Sequence, residues 1–198
     1  MTESSQGPLD AEQLRVLGET RALGRKLRLA RGVALSNVIG LALVAFLSLS
    51  FDAVSLSLSP VGLALAFLAY NEERGRRLLA ALDLRAPARL AQNQLALLGL
   101  VVLYCAWNAY SAWAGPDPLV ALASQSSEVG DTLREVTEQT GTSFTELGSW
   151  ARAVALLVYA TVLGASVLVQ GLTALYYRSL RPSLEAFARA PAWARALA

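Results

Sequence analysis

The sequence predicts an all-α polytopic membrane protein: four transmembrane helices as two hairpins, with an extracytoplasmic helical insertion in the second. Three observations predict it. Apolar residues make up 55% of the 198 and charged residues only 16%, where a soluble domain carries about a quarter charged. The missing charge is absent from four apolar blocks, each close to the roughly 20 residues that cross a hydrocarbon core as a helix. The basic residues sort to alternate connections between those blocks, as short loops on the cytoplasmic side do.

Residues 1–31 form a basic amphipathic segment. After "MTESSQG", Asp10 begins a helix, with Gln13 three residues on as its capping-box partner. Leu14, Leu17, Leu23 and Leu27 give an irregular apolar face interrupted by Gly18 and Gly24. This stretch is too polar and too long for a signal-peptide n-region, and the apolar block after it exceeds a signal core of about 7–15 residues. The block therefore reads as a retained helix.

Residues 32–70 hold the first hairpin, "VALSNVIGLALVAFLSLS" from Val33 to Ser50 and "AVSLSLSPVGLALAFLAY" from Ala53 to Tyr70. Only Phe51 and Asp52 separate them, which places Asp52 at the turn. The serine–leucine alternation from Ser48 to Pro60 admits a rival, shorter helices joined by an extended turn.

Residues 71–93 interrupt the apolar sequence with "NEERGRRLLAALDLRAPARLAQN". One reading is a solvated charge run. The other is an amphipathic helix in the headgroup layer, with Leu78, Leu79 and Leu82 towards lipid and Arg74 and Arg77 towards anionic phosphates. On the second reading Arg74, Arg76, Arg77 and Arg181 are candidate lipid-headgroup contacts. The pair Glu72–Glu73, beside these arginines, reads as part of a solvated face.

Residues 94–177 hold the second hairpin, its helices running from about Gln94 to Trp113 and from Ala153 to Tyr177. Trp107, Tyr110, Trp113 and Trp150 suit one interfacial belt, Tyr176 and Tyr177 the other. Between the helices lies an insertion, 115–149, that the first hairpin lacks. It opens on "GPDP" and carries Leu122, Ser126, Val129, Leu133 and Val136 in steps of four and three, a helical stripe. The stripe either packs down on the protein's own outer surface or, through Leu122, Val129, Leu133 and Val136, forms a partner-binding face.

Residues 178–198 are a basic tail. Its "RAPA" at Arg189–Ala192 repeats Arg85–Ala88, and Arg76, Leu79 and Ala81 match Arg181, Leu184 and Ala186 at one offset. Either the two halves are a duplication or an alanine- and arginine-rich chain repeats itself by composition.

Orientation follows from the arginines and lysine. The amino-terminal segment carries Arg15, Arg21, Arg25, Lys26, Arg28 and Arg31; the central loop, Arg74, Arg76, Arg77, Arg85 and Arg89; the tail, Arg178, Arg181, Arg189 and Arg195. Only Arg134 and Arg152, of 17 basic residues, fall on the other side. Both termini are therefore expected in the cytoplasm of a protein integral to the plasma (inner) membrane.

Signs of chemistry are few. Histidine is absent and Cys105 stands alone, which removes Ser/His and Cys/His nucleophiles, disulfides within one chain and the usual zinc sets. No phosphate-binding glycine loop occurs, and lipid headgroups explain the basic residues better than nucleic acid does. No cofactor or metal is expected, and no enzymatic activity. Polar residues inside a span are the natural place to look for function. Asn37, Asn108 and Gln170 are the candidates, either as helix-to-helix hydrogen-bonders or as pore-lining groups. Small residues four apart, Ser36–Gly40 and Ala160–Gly164, suggest close helix contacts. The expected role is a structural or accessory subunit, in a homo-oligomer or a larger membrane complex among anionic lipids; the alternative is a small oligomeric channel or transport component.

Overall fold

The computed structural model describes residues 9–55, 60–115, 130–132, 135, 138–139, 141 and 143–198, and of 51–55, 144 and 145 the backbone alone. Every described element is a helix: α1 (Ala11–Ser55), α2 (Pro60–Ala80), α3 (Ala86–Ala114), α4 (Phe144–Arg189) and α5 (Ala192–Ala196). Among the described residues three stretches are long and apolar enough to cross a membrane: Ala11–Ser50, Ala86–Ala114 and Glu146–Arg189. In α2 the uninterrupted uncharged stretch is only residues 60–71, because the helix runs on into the arginine-rich segment to Ala80. Residues 71–80 of that segment thus continue α2 and residues 86–93 open α3, so it is not a separate surface helix.

The start of α1 is the expected capping box: Asp10 Oδ1 accepts from the Gln13 amide at 2.7 Å, and Gln13 Oε1 accepts from the Asp10 amide at 3.1 Å. Its far end differs from expectation. Phe51 and Asp52 do not turn the chain; α1 continues to Ser55. Neither residue breaks a helix, whereas Pro60, with its fixed φ and no amide hydrogen to satisfy, suits the first position of α2.

The chain divides into two compact units, residues 1–97 with 172–198, and residues 98–171. In the first, α1 and α2 run antiparallel. Leu49 lies against Gly62, Asn37 bonds Glu72, and Arg31 reaches the carbonyls of Leu79 and Ala80. The buried residues of α1 include Leu17, Thr20, Leu27, Ala30, Ala34, Leu41 and Ala45. Those of α2 are Gly62, Leu65, Leu68, Ala69, Glu72, Gly75 and Leu79. Both recur in steps of three and four, the period of one helix face.

The core of this unit gathers at the arginine-bearing end: Leu27, Ala30, Ala34, Leu79, Ala86, Leu90, Ala91, Ala174, Tyr177, Leu180 and Leu184, with Leu78 and Leu82 packed against it. Leu78, Leu79 and Leu82 therefore turn inward, not to lipid. Gly75 lets α2 approach α3 closely, since a Cβ there would stand 2.5 Å from Leu90 Cδ2. The turn between these helices is a Schellman motif, with the Asp83 amide bonding Leu78 O and the Leu82 amide bonding Leu79 O. Leu82 occupies its left-handed position with φ 58°, where glycine is usual; the side chain's packing against the core compensates. Asp83 Oδ1 then accepts from the Arg85 amide at the entrance to α3.

α5 packs against α1. Arg28 Nη1 donates to the backbone oxygen of Ala198 at 2.6 Å, and Arg21 Nε to that of Leu197 at 3.3 Å. Pro182 lies inside α4, where its ring removes one intrahelical bond. The "RAPA" copies sit differently: Ala86 and Pro87 open α3, while Arg189 ends α4 and Ala192 opens α5. Their matched leucines, Leu79 and Leu184, share one core.

The second unit is of another kind. A second capping box starts α4, with Ser143 Oγ accepting from the Glu146 amide and Glu146 Oε2 from the Ser143 amide. Cys105 is buried, but Leu103, Trp107 and Trp113 are each more than 70% exposed, and many apolar side chains of α4 are exposed too, Trp150 and Leu157 among them. Leu122, Val129, Leu133 and Val136 lie outside the described residues.

A candidate functional site at Glu72

The first unit is built around a buried carboxylate. Glu72 follows Leu65 and Leu68 on the inward face of α2 and precedes Gly75 and Leu79, so helical geometry carries it into the packed side. It has no exposed surface. This corrects the expectation that Glu72 and Glu73 share a solvated face: they are adjacent in sequence but about 100° apart around the helix.

Four neutral donors from three other helices converge on the group. Its Oε1 accepts from Tyr177 Oη at 3.0 Å, Gln94 Nε2 at 3.1 Å and Asn37 Nδ2 at 3.3 Å; its Oε2 accepts from Asn93 Nδ2 at 2.6 Å. Asn37 Nδ2 also reaches Tyr177 Oη, and Asn93 Nδ2 also bonds Leu68 O at 3.0 Å, tying the cage to the α2 backbone. No cation partners Glu72 among the described residues. Burial pushes its carboxyl above the ordinary range, and the bonds from Asn93, Asn37, Tyr177 and Gln94 pull against that rise. Two oxygens with four lone pairs meeting four donors is the arrangement a carboxylate needs when removed from water.

Glu73 faces outward. Arg76 grips it through Nε at 2.6 Å and Nη2 at 2.9 Å, and Arg77 Nε adds a bond at 2.7 Å. The two guanidiniums lower its carboxyl to about 2.

Of the candidate polar residues, only Asn37 joins helices among these contacts. Asn108 Nδ2 donates to Tyr104 O of its own helix at 2.8 Å, and Gln170 Oε1 is buried with no hydrogen-bond partner among the described residues. The small-residue pairs do not make the close contacts. Ser36, Gly40, Ala160 and Gly164 are exposed, and nothing among the described residues outside their own helix backbone stands within 4 Å of a Cβ at Gly40 or Gly164. The close approaches are at Gly62 and Gly75.

The candidate headgroup arginines separate in the same way. Arg76 and Arg77 are occupied with Glu73, and Arg181 with Glu185 at 3.1 Å. Arg74 is exposed and makes no ion pair among the described residues.

Compared with known protein families, with curated proteins and with solved structures, the chain matches none.

Proposed function

We propose that the protein is a non-catalytic integral membrane protein, a structural or accessory subunit that assembles with itself or with a larger membrane complex. The observation that carries this reading is the use made of its polar side chains. Glu72, Asn37, Asn93, Gln94 and Tyr177 satisfy one another across helices, which fits a scaffold better than a site awaiting a substrate. The exposed apolar surface of α3 and α4 suits lipid or a neighbouring subunit.

In this reading the chain crosses the plasma (inner) membrane four times as two hairpins, with both termini in the cytoplasm. Support comes from the contacts of Arg21 and Arg28 with Leu197 and Ala198, because touching segments must share one side and so require an even number of crossings. The antiparallel pairing of α1 and α2 from Leu49–Gly62 to Arg31–Leu79 is that of a hairpin, with its Leu49–Gly62 end in the membrane and its arginine-bearing Arg31–Leu79 end on the cytoplasmic side. Homo-oligomer or mixed complex is decided by solubilising the membrane in mild detergent and measuring the mass of the eluted particle. A particle holding one copy, with no protein beside it, overturns the reading.

A second reading, a small oligomeric channel or transport component, gains from Glu72 itself, since a buried acid is a common element of ion and proton paths. Liposome flux abolished by Glu72→Gln in a variant that keeps its fold would favour it over the scaffold.

A further inference from the structure

Beside the cage, on the outer side of the α2–α3 pair, lies a crevice of about 470 Å³. Phe67, Leu68 and Asn71 of α2 form one wall; Arg85, at the turn, with Arg89 and Gln92 of α3 form the other. The two arginines are four residues apart, one helical turn, and the Arg89 backbone amide donates to Arg85 O at 3.1 Å. Their charge is uncommitted. Arg76, Arg77 and Arg181 are held by carboxylates, and Arg21, Arg28 and Arg31 donate to backbone carbonyls, but neither Arg85 nor Arg89 has an ion pair among the described residues. Two amide side chains, Asn71 and Gln92, stand beside them as further donors. The other end of the crevice is apolar, with Phe67 64% exposed. A guanidinium pair that grades into an apolar wall matches an anionic phosphate esterified to a hydrocarbon chain.

We propose that this crevice seats the phosphate of an inner-leaflet anionic phospholipid, with Arg85 and Arg89 on its oxygens and Phe67 and Leu68 beside the upper part of an acyl chain. The proposal rests on the cytoplasmic placement of residues 71–93 in the reading above. It assigns the headgroup contact to a different pair of arginines from those the charge run first suggests, because Arg76 and Arg77 already have a counter-ion in Glu73. A soluble phosphate would satisfy the arginines equally but leaves the apolar wall without a use, so the lipid is the better occupant.

The test uses the full-length protein in mild detergent, with phosphatidylglycerol titrated in and binding counted by native mass spectrometry. The Arg85→Gln/Arg89→Gln variant is expected to bind it roughly thirtyfold more weakly, since both headgroup charges are lost. Arg74→Gln should leave binding unchanged. Arg85→Lys/Arg89→Lys, which keeps the charge, should recover most of it, separating loss of the site from loss of fold. Phosphatidylglycerol affinity equal in wild type and the glutamine variant overturns the proposal. So does equal binding of phosphatidylcholine, equal competition by glycerol phosphate, or a stoichiometric protein partner released by the glutamine substitutions with lipid binding unchanged. A cysteine at exposed Leu84, in a Cys105→Ala background, keeps the two readings apart. External labelling overturns the topology and with it the inner-leaflet assignment; cytoplasmic labelling with unaltered lipid affinity overturns the crevice alone.

Discussion

The polar side chains gathered at Glu72 in the first unit reach between helices; Asn108 and Thr161 in the second reach back to their own. Glu72 collects donors from α1, α3 and α4, whereas Asn108 and Thr161 each bond the carbonyl four residues earlier, Tyr104 O and Leu157 O. The buried apolar side chains divide likewise. Both units expose apolar side chains, Phe46 and Phe67 in the first and Leu103 and Trp107 in the second. The buried cluster, with Leu27, Leu79, Leu90 and Leu184 at most 2% exposed, belongs to the first, while Cys105 is the buried apolar side chain among the described residues of the second. The difference teaches where specificity lies. Apolar helices in lipid gain little by burying leucine against leucine, since the lipid is as apolar as they are. A polar group or a close glycine contact defines which helices meet and in what register, and both devices occur in the first unit.

The largest test of that contrast removes the carboxylate. Glu72→Ala removes the shared acceptor of four donors. Asn93 keeps Leu68 O and Asn37 keeps Tyr177 Oη, but the buried Gln94 amide and Tyr177 hydroxyl lose theirs, and each unsatisfied buried group costs about 1–3 kcal/mol. A loss of about 3 kcal/mol or more is expected in thermal unfolding of the detergent-solubilised protein, with aggregation on heating as the extreme. Gln170→Leu in the second unit should change the midpoint little or raise it, because the oxygen it removes is already unpartnered. Equal losses from the two substitutions would break the comparison.

Glycines give the next contrast. Gly75→Ala drives a methyl group to 2.5 Å from Leu90 Cδ2, and Leu90 is itself fully buried. Overpacking of about 1–3 kcal/mol should outweigh the gain of up to about 1 kcal/mol from alanine's better helix propensity. Gly164→Ala meets nothing within 4 Å, so only the gain remains and the midpoint should rise. A smaller effect follows from the cage's hydroxyl donor. Tyr177→Phe removes one bond of four and should cost about 1–2 kcal/mol, against near neutrality for Thr161→Val, whose hydroxyl bonds only its own helix.

Much of the helical frame is legible in the sequence because its signals are local. Asp10 and Gln13 specify a capping box within four residues, and Pro60 fits a helix start without help from any neighbour. The site is not local. "NEERGRR" has the composition of a solvated stretch, and nothing in it distinguishes Glu72 from Glu73 except phase. The signal available was the stripe Leu65–Leu68–Glu72–Gly75–Leu79, in steps of three and four, which continues the apolar face of α2 through the charged segment and puts one acid on it. Asn93 and Gln94, at the start of a span, were the matching polar residues. Asn37 was recognisable as a helix-joining amide, but Asn108 and Gln170 looked equivalent to it by composition. Only the packing of helices remote in sequence separates them.

The smallest predicted effect is in pH dependence, and the two neighbouring acids should oppose each other. Glu73, lowered to about 2 by Arg76 and Arg77, stabilises the fold above its ordinary value near 4.5; that contribution is lost as pH falls towards 2. These ion pairs lie at the part-exposed surface of α2 and are screened by water, so their size is only a few tenths of a kcal/mol. Glu72 is raised, chiefly by burial. The folded state then takes up its proton at a higher pH than the unfolded chain does, and stability rises as pH falls from the raised value to about 4.5, then levels. Acidification from neutrality should therefore first raise the unfolding midpoint and then lower it slightly. In Glu73→Gln the fall attributable to this pair should vanish while the rise persists. A midpoint that instead falls steadily from neutral pH would mean that the folded protein holds Glu72 charged more firmly than water does, and the cage would then stabilise the anion outright, not merely compensate for its burial.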